Sequence, residues 1–338
     1  MIREAIQKLA ASEDLTRQEA FETMNEIMSG NASEAQIASF LMGLRLKGET
    51  IAEIAGCAQS MRDKAVPISC NNQNLIDTCG TGGDSSGTFN ISTCAAIIAA
   101  GAGAVVAKHG NRAVSSQSGS ADVLRALGIN LDISPESTTA VLDEIGITFL
   151  FAPLLHSAMR FAAPVRKDMG IRTIFNILGP LTNPARARRQ LLGVFSPGLT
   201  EKLAGVLREL GSVHALVVHG EGGLDELSTI GWTRVSELRD GTVRSFDLRA
   251  ETFGFSASSL EKLRGADAQR NAEIILQVLS GQEGAPSDIA MLNAGAALFV
   301  AGVAEDLQTG VARARDSVRS GSAMKKLASW KEATHHRL

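Results

Sequence analysis

Only four of the 338 residues are cysteine. Cys57, Cys70, Cys79 and Cys94 form no Cys-x-x-Cys pair and no zinc spacing, so a thiolate metal centre is excluded and reduced thiols are the simpler expectation. An excess of either charge is missing too: 33 Lys and Arg stand against 36 Asp and Glu, a net charge of -3, which leaves no electrostatic footprint for nucleic acid. Nor is there an apolar run long enough for a bilayer. The longest, around Cys94 to Val106, is broken by Gly101 and Gly103. Met1 to Leu9 carries Arg3, Glu4 and Lys8 without an apolar core, unlike a secretory leader. A soluble cytoplasmic protein with neither membrane nor nucleic-acid partner is expected, and no Ser/His/Asp or Cys/His nucleophile unit stands out.

Glycine, by contrast, is concentrated where it can do chemistry. Leu75 and Ile76 read as a strand end, and Asp77-Thr78-Cys79-Gly80-Thr81-Gly82-Gly83-Asp84 follows as a loop. Asn90-Ile91-Ser92-Thr93 then leads into an apolar helix, Cys94 to Ala100, with Gly101 as its stop. Asn90 or Ser92 at the helix start would offer free N–H groups and the positive dipole end to a phosphate. Two nucleotide signatures do not fit: Ser85 stands where Gly-x-Gly-x-x-Gly needs its third glycine, and no Gly-Lys-Ser/Thr follows. A tight strand-to-helix turn with ordinary caps is the plainer alternative.

Two further clusters repeat the plan. Val105 to Ala107 runs into Lys108-His109-Gly110-Asn111-Arg112-Ala113-Val114-Ser115-Ser116, and Ser118 to Ser120 opens the next helix. In a parallel α/β sheet such loops gather at the carboxyl ends of the strands and can face one crevice. Lys108 and Arg112 would supply cations there, although charge runs are more often solvated faces. The third cluster, Leu216 to Ser228, is a buried strand and a flexible loop ending in Asp225-Glu226. Adjacent carboxylates suit magnesium, which binds one or two of them together with water and substrate phosphates. Alone, such a pair is weak evidence, since most are surface charges.

Taken in order, Gly80-Thr81-Gly82-Gly83-Asp84, Asn90-Ile91-Ser92-Thr93, Lys108-His109-Gly110-Asn111, Ala163-Pro164-Val165-Arg166, Arg172 to Leu181 and Asp225-Glu226 resemble the anthranilate phosphoribosyltransferase family. The resemblance runs from the N-terminal helices to near the C-terminus. It implies an α/β fold: a small N-terminal helical domain plus a larger α/β domain with a mainly parallel central sheet flanked by helices, and an active site in the interdomain cleft. It implies an activity, magnesium-dependent transfer of the phosphoribosyl group of 5-phosphoribosyl 1-pyrophosphate to the amine of anthranilate, without a covalent enzyme intermediate. Gly80, Gly83, Asp84 and Thr88 would then contact the donor, and Asn90, Ile91, Ser92 and Thr93 its phosphates. Lys108, His109, Gly110, Asn111, Arg112, Ala113, Val114, Ser115, Ser116 and Ser120 would complete the donor site. Asn111 and Arg166 would bind anthranilate, close to Gly80. His109 could pack on its ring or be a satisfied structural histidine. Ser92, Asp225 and Glu226 would hold one or two Mg2+ ions, and the family's homodimer joins through its helical domain.

At 338 residues two domains are expected. The pattern is helical over residues 1–66, with Leu15 to Ala20 as a helix start and Ile37, Phe40, Leu41 and Leu44 on one face. That face could serve a dimer or the domain's own core. The polar stretch 67–74 reads as a hinge. Residues 75–165 and 187–338 form the α/β part, with strands at Ile147 to Phe151, Leu191 to Phe195 and Ala215 to Val218 and a hairpin through Asp240-Gly241. By resemblance, a segment near 166–186 returns to the helical domain. Two rivals use other features. A pyrimidine nucleoside phosphorylase would share the fold but give Asp225 and Glu226 no role, and a non-catalytic nucleic-acid-binding relative would need a basic cleft face.

Overall fold

The computed structural model describes residues 1–72, 74–84, 86–112 and 118–336. Four helices come first: α1 (Ile2–Ala10), α2 (Arg17–Met28), α3 (Glu34–Lys47) and α4 (Ile51–Lys64). Three of them start for the same local reason. Thr16, Ser33 and Thr50 each accept the backbone N–H three residues on, while Glu19, Gln36 and Glu53 reach back to the cap, two orphan donors being satisfied reciprocally. Glu53 also takes the Leu15 N–H at 2.9 Å and Lys47 Nζ at 3.0 Å, and so fastens the α1–α2 connection to α4.

Between the helices the apolar positions close on each other. Ile37, Phe40 and Leu41 are 0–2% exposed and join Ile2, Leu9, Met24 and Ile54 in one core. Of the two uses the sequence left open for that face, the protein's own core is the one adopted. The large apolar side chains that α3 leaves exposed are Met42 and Leu46. The same core takes in Val165, Phe175, Leu178 and Leu181 from the segment after residue 162. That segment carries α9 (Ala163–Met169) and α10 (Phe175–Leu178), and is preceded by the short α8 (Ala152–Leu155).

The remaining chain builds a sheet in the order β3-β2-β1-β4-β5-β6-β7. Strands β1 (Ile76–Gly80), β2 (Val106–Gly110), β3 (Ile147–Phe151), β4 (Arg189–Gly193) and β5 (His214–Gly220) are parallel to one another. β6 (Trp232–Arg239) and β7 (Thr242–Arg249) add an antiparallel hairpin through Asp240-Gly241. β4 begins two residues earlier than the sequence pattern indicates and ends at Gly193, because Phe195 turns its N–H to Thr81 Oγ1 instead of the ladder.

Helices α5 (Ile91–Gly101), α6 (Ser120–Ala126), α7 (Pro135–Ile145) and α11 (Leu199–Glu209) connect or flank the strands. α12 (Ala268–Leu279), α13 (Ala285–Val300), α14 (Leu307–Arg319) and α15 (Ser322–His335) close the second face. α13 is buried nearly all round, against α5 and α14. At its crossing with α14, Gly310 abuts the Gly295 carbonyl so closely that a Cβ would overlap it. No helix among the described residues is long and apolar enough to cross a membrane. Connections leave β1 toward β2 and β4 toward β5 in opposite directions, so the crevice beyond the carboxyl ends of β1 and β4 is the topological switch point, where open α/β sheets take their ligands.

Candidate active site

Gly80 and Gly193, the last residues of β1 and β4, are register partners at that switch point. Asp225 lies on top of them. A Cβ on Gly80 would come within 2.9 Å of Asp225 Cγ, and one on Gly193 would overlap the Asp225 carbonyl oxygen. At the end of β5, a Cβ on Gly220 would be 2.6 Å from the Glu226 carbonyl oxygen. Three strand ends therefore form a floor without side chains, and the Asp225-Glu226 loop rests on it. Gly82 and Gly83 have φ of 62° and 69°, a left-handed conformation that side chains resist, and this turns the Gly82 N–H onto Asp225 Oδ2 at 2.8 Å.

Glu226 is held from the other side. Its Oε1 accepts the Ser92 N–H at 3.1 Å, from the first turn of α5, so the carboxylate sits where the helix dipole favours an anion. Lys108, 1% exposed, donates to the Thr78 carbonyl and, at 3.1 Å, to Ser92 Oγ. Burial, and then the charge of Asp84, raises the Asp225 carboxyl above the usual carboxylate range. Burial, and then Asp225 itself, does the same to Glu226. Burial lowers the Lys108 ammonium. Three acids thus crowd a place where, among the described residues, Lys108 is the cation buried beside them, and positive charge is wanting. Among the described residues no three His, Cys, Asp or Glu side chains are grouped to cage a metal by themselves. Two carboxylates that leave most of a coordination shell to water and phosphate fit magnesium, and Ser92 is bonded to one of them.

Beneath this layer lies a buried polar row. Asp77, at the start of β1, accepts the His109 N–H at 3.0 Å, and His109 Nε2 lies 3.2 Å from His156 Nε2. Both histidines are under 9% exposed, and each is the other's ring partner. Burial, and then His156, pushes His109 down to about 3, and burial pushes His156 down to about 4. Both are neutral in the folded protein near pH 7, while the unfolded chain protonates them near the ordinary value of 6.5. Their contribution is complete above that value and is lost as pH falls below it, by roughly 2 kcal/mol per histidine at about pH 5. Urea unfolding of His156→Asn should accordingly show a shallower fall in stability between about pH 6.5 and 5 than the parent, and parallel curves would contradict this.

Asn90 is the N-cap of α5, yet its side chain makes no cap bond. Its Nδ2 donates to the Ser118 carbonyl at 3.1 Å, and its Oδ1 accepts Asn271 Nδ2 at 3.0 Å. Asn271, 2% exposed on α12, also accepts the Ala266 N–H at 2.8 Å. Thr88 forms an isolated bridge with Arg264 in the same region. Ile91 and Thr93 are buried in the first turn of α5, and Ser120 begins α6. Asn111 and Arg112 are exposed, the Arg112 guanidinium standing 5.5 Å from the Phe151 ring centre. Ala113, Val114, Ser115 and Ser116 lie outside the described residues.

Two arginines enter from the segment that packs on the helical core. Arg166, on α9, is part-buried over the Phe175 ring at 5.0 Å, has no ion pair or side-chain hydrogen bond among the described residues, and is lowered by burial. Among the described residues it is a guanidinium without an acid. Arg172 lies over Phe195 at 4.3 Å and donates to the Gly83 carbonyl, bracing the glycine loop. Its place in the run Arg172 to Leu181 marks it in the sequence without pointing to this contact. Gly193 read as an ordinary strand residue. Asn271 and Asn293 sit in helical patterns with no local sign that they reach the site.

Family models match both parts of the chain: the helical bundle domain of the glycosyl transferase family over residues 3–65, and the a/b domain of that family over residues 72–324. Fold and site together define a glycosyltransferase of the class that joins a helical bundle to an α/β domain. Anthranilate phosphoribosyltransferase of Anaeromyxobacter dehalogenans strain 2CP-1 is 54% identical over 334 residues, 99% of each chain, and that of Desulfatibacillum aliphaticivorans 52% over 327 residues, 97% of each. The crystal structure of anthranilate phosphoribosyltransferase from Thermus thermophilus superposes with a TM-score of 0.93 at 44% identity, covering 98% of this chain and 99% of that one. The Saccharomyces cerevisiae enzyme in complex with PRPP and Mg gives a TM-score of 0.90 at 27% identity, covering 99% and 98%. The chain belongs to the anthranilate phosphoribosyltransferase family.

Proposed function

We propose that this chain transfers the phosphoribosyl group of 5-phosphoribosyl 1-pyrophosphate to the amine of anthranilate, giving N-(5-phosphoribosyl)anthranilate and pyrophosphate in tryptophan biosynthesis. One observation carries the reading: the glycine loop, the first turn of α5 and the Asp225-Glu226 pair are bonded into one crevice. Bound magnesium would offset the charge of the departing pyrophosphate. Asp225 and Glu226 would hold it, with Ser92 beside them. The N–H groups of Gly83, Asp84 and Thr93 would take the phosphates, with Asn90, Ile91 and Ser92 lining the same turn, while Lys108 fixes Ser92 from below. Thr88, Asn111, Arg112 and Ser120 are assigned to the rim of the donor site. No protein nucleophile is required, since an aromatic amine is unprotonated near neutral pH and attacks C1 directly. The chain's part is to position the reactants and stabilise the charge that develops.

For the acceptor, Arg166, unpaired among the described residues, is the group suited to a carboxylate, its planar fork matching two oxygens. Asn111 and Gly80 belong to the same end, and His109, turned by His156, is assigned to its wall. Arg166→Ala should raise the anthranilate KM by about 30- to 100-fold, the loss of a charge-assisted pair, and leave the donor KM within a small factor. Steady-state kinetics with each substrate varied in turn decides it; equal loss for both would reject the assignment.

The first test is the fall in anthranilate fluorescence on adding 5-phosphoribosyl 1-pyrophosphate, with magnesium and then with chelator. Magnesium-dependent consumption supports the transferase. Phosphorolysis of thymidine or uridine without magnesium would favour the phosphorylase instead. We also assign the protein to the cytoplasm and to a homodimer through the helical part, where Met42 and Leu46 are the exposed apolar residues of α3. We treat residues 67–74 as the hinge between a helical domain (1–66 with 166–186) and the α/β domain. A monomer by light scattering at micromolar concentration would count against the dimer.

A further inference from the structure

Asn293 lies on α13, 0% exposed, 66 residues beyond the loop it touches. Its Oδ1 accepts the Leu227 N–H at 2.9 Å, and its Nδ2 donates to the Leu227 carbonyl at 2.9 Å and to the Ile289 carbonyl at 2.9 Å. Both backbone polar groups of Leu227, the residue after Asp225-Glu226, are thus taken by one rigid amide, as a neighbouring strand would take them. Leu227 itself is buried. The loop therefore has its floor from Gly80, Gly193 and Gly220 and its lateral position from Asn293. α12 repeats the device on the other loop, where Asn271 bonds Asn90 Oδ1 at 3.0 Å and, through its own Oδ1, the Ala266 N–H. Asn90 in turn holds the Ser118 carbonyl, so Asn271 sets the entrance of α5 and the segment before α6 together.

We infer that Asn293 and Asn271 are positioning residues with separate tasks: Asn293 sets the carboxylate pair for the metal, and Asn271 sets the α5 entrance for the donor's phosphates. Neither touches a reacting atom. The inference rests on the reading of the crevice as a magnesium and phosphoribosyl pyrophosphate site, and it assigns to two C-terminal helices the geometry of loops made far earlier in the chain. An amide with both ends satisfied and no exposure cannot rotate without stranding a buried donor or acceptor, which is why it can hold a loop in one place.

The test uses the full chain and two titrations. Manganese(II) is titrated by electron paramagnetic resonance at saturating 5-phosphoribosyl 1-pyrophosphate, and the donor is titrated by calorimetry at saturating metal. Asn293→Ser should weaken manganese binding by about 10- to 100-fold, as loss of a metal site's outer support does, with donor affinity at saturating metal little changed. Asn271→Ser should weaken donor binding roughly tenfold and leave the manganese titration near the parent's. Asn293→Asp, which keeps the acceptor for Leu227 N–H but loses the donor, provides a second variant and should move manganese binding the same way. Thermal unfolding of each variant selects folded protein for titration. Lower unfolding temperatures with parental titrations would reduce both asparagines to packing and overturn the inference, as would equal losses in both titrations for both variants. A parent protein that binds neither manganese nor donor would remove the reading of the site along with it, a result distinct from either.

Discussion

Asp225→Asn combined with Glu226→Gln should lower magnesium-dependent turnover by about a thousandfold, roughly 4 kcal/mol of transition-state stabilisation, with the fold retained. The amide oxygens can still accept from the Gly82 and Ser92 N–H groups, so the loop keeps its anchors. What disappears is the negative charge. Because Asp84, Asp225 and Glu226 repel one another in a partly buried place, the double variant should unfold at the same or a higher temperature than the parent when metal is absent. Stopped fluorescence assays and thermal unfolding, run side by side, check both signs. Unchanged turnover would reject the metal assignment.

Gly193→Ala is expected to be almost as damaging, although residue 193 contributes no functional group. Its Cβ would overlap the Asp225 carbonyl oxygen, and backbone cannot swing aside as a side-chain tip can. The loop must lift by an ångström or so, which costs about a hundredfold in rate through misplacement, with about 1–3 kcal/mol of stability lost to overpacking. Gly198→Ala is the matched control, since its Cβ would meet nothing within 4 Å. That variant should be indistinguishable from the parent in turnover and urea midpoint. Parental activity in Gly193→Ala would show that the loop is not seated on the strand ends.

Features with a local cause were readable from the chain. The glycine loop, the helix start within Leu15 to Ala20, the Asp240-Gly241 hairpin and the strand-loop-helix alternation each depend on residues within a turn of one another. The loops that meet in the crevice carry the same local signals, and the family pattern proposes roles for their residues. What escaped depends on distance along the chain. Nothing near Gly193 tells that Asp225 will rest on it. Asn271 and Asn293 sit in helical patterns and meet their partners 181 and 66 residues away. Periodicity also could not say whether Ile37, Phe40 and Leu41 face inward, because α3 is wrapped on more than one side by α1 and α9. The end of β4 was misplaced where Phe195 exchanges the ladder for a side-chain oxygen.

The α13–α14 crossing bears on how the protein comes into being. Every residue assigned to the donor, acceptor and metal lies before residue 227, yet the amides that hold two of the loops come from α12 and α13. α13 in turn is covered by α14, which meets it where Gly310 abuts Gly295. A ribosome making this chain from its N-terminus releases the chemistry first and its support last, and domains tend to fold in the order of their synthesis. The growing chain has the parts of an enzyme long before it can be one, so binding competence should arrive in a single step once the final helices are free.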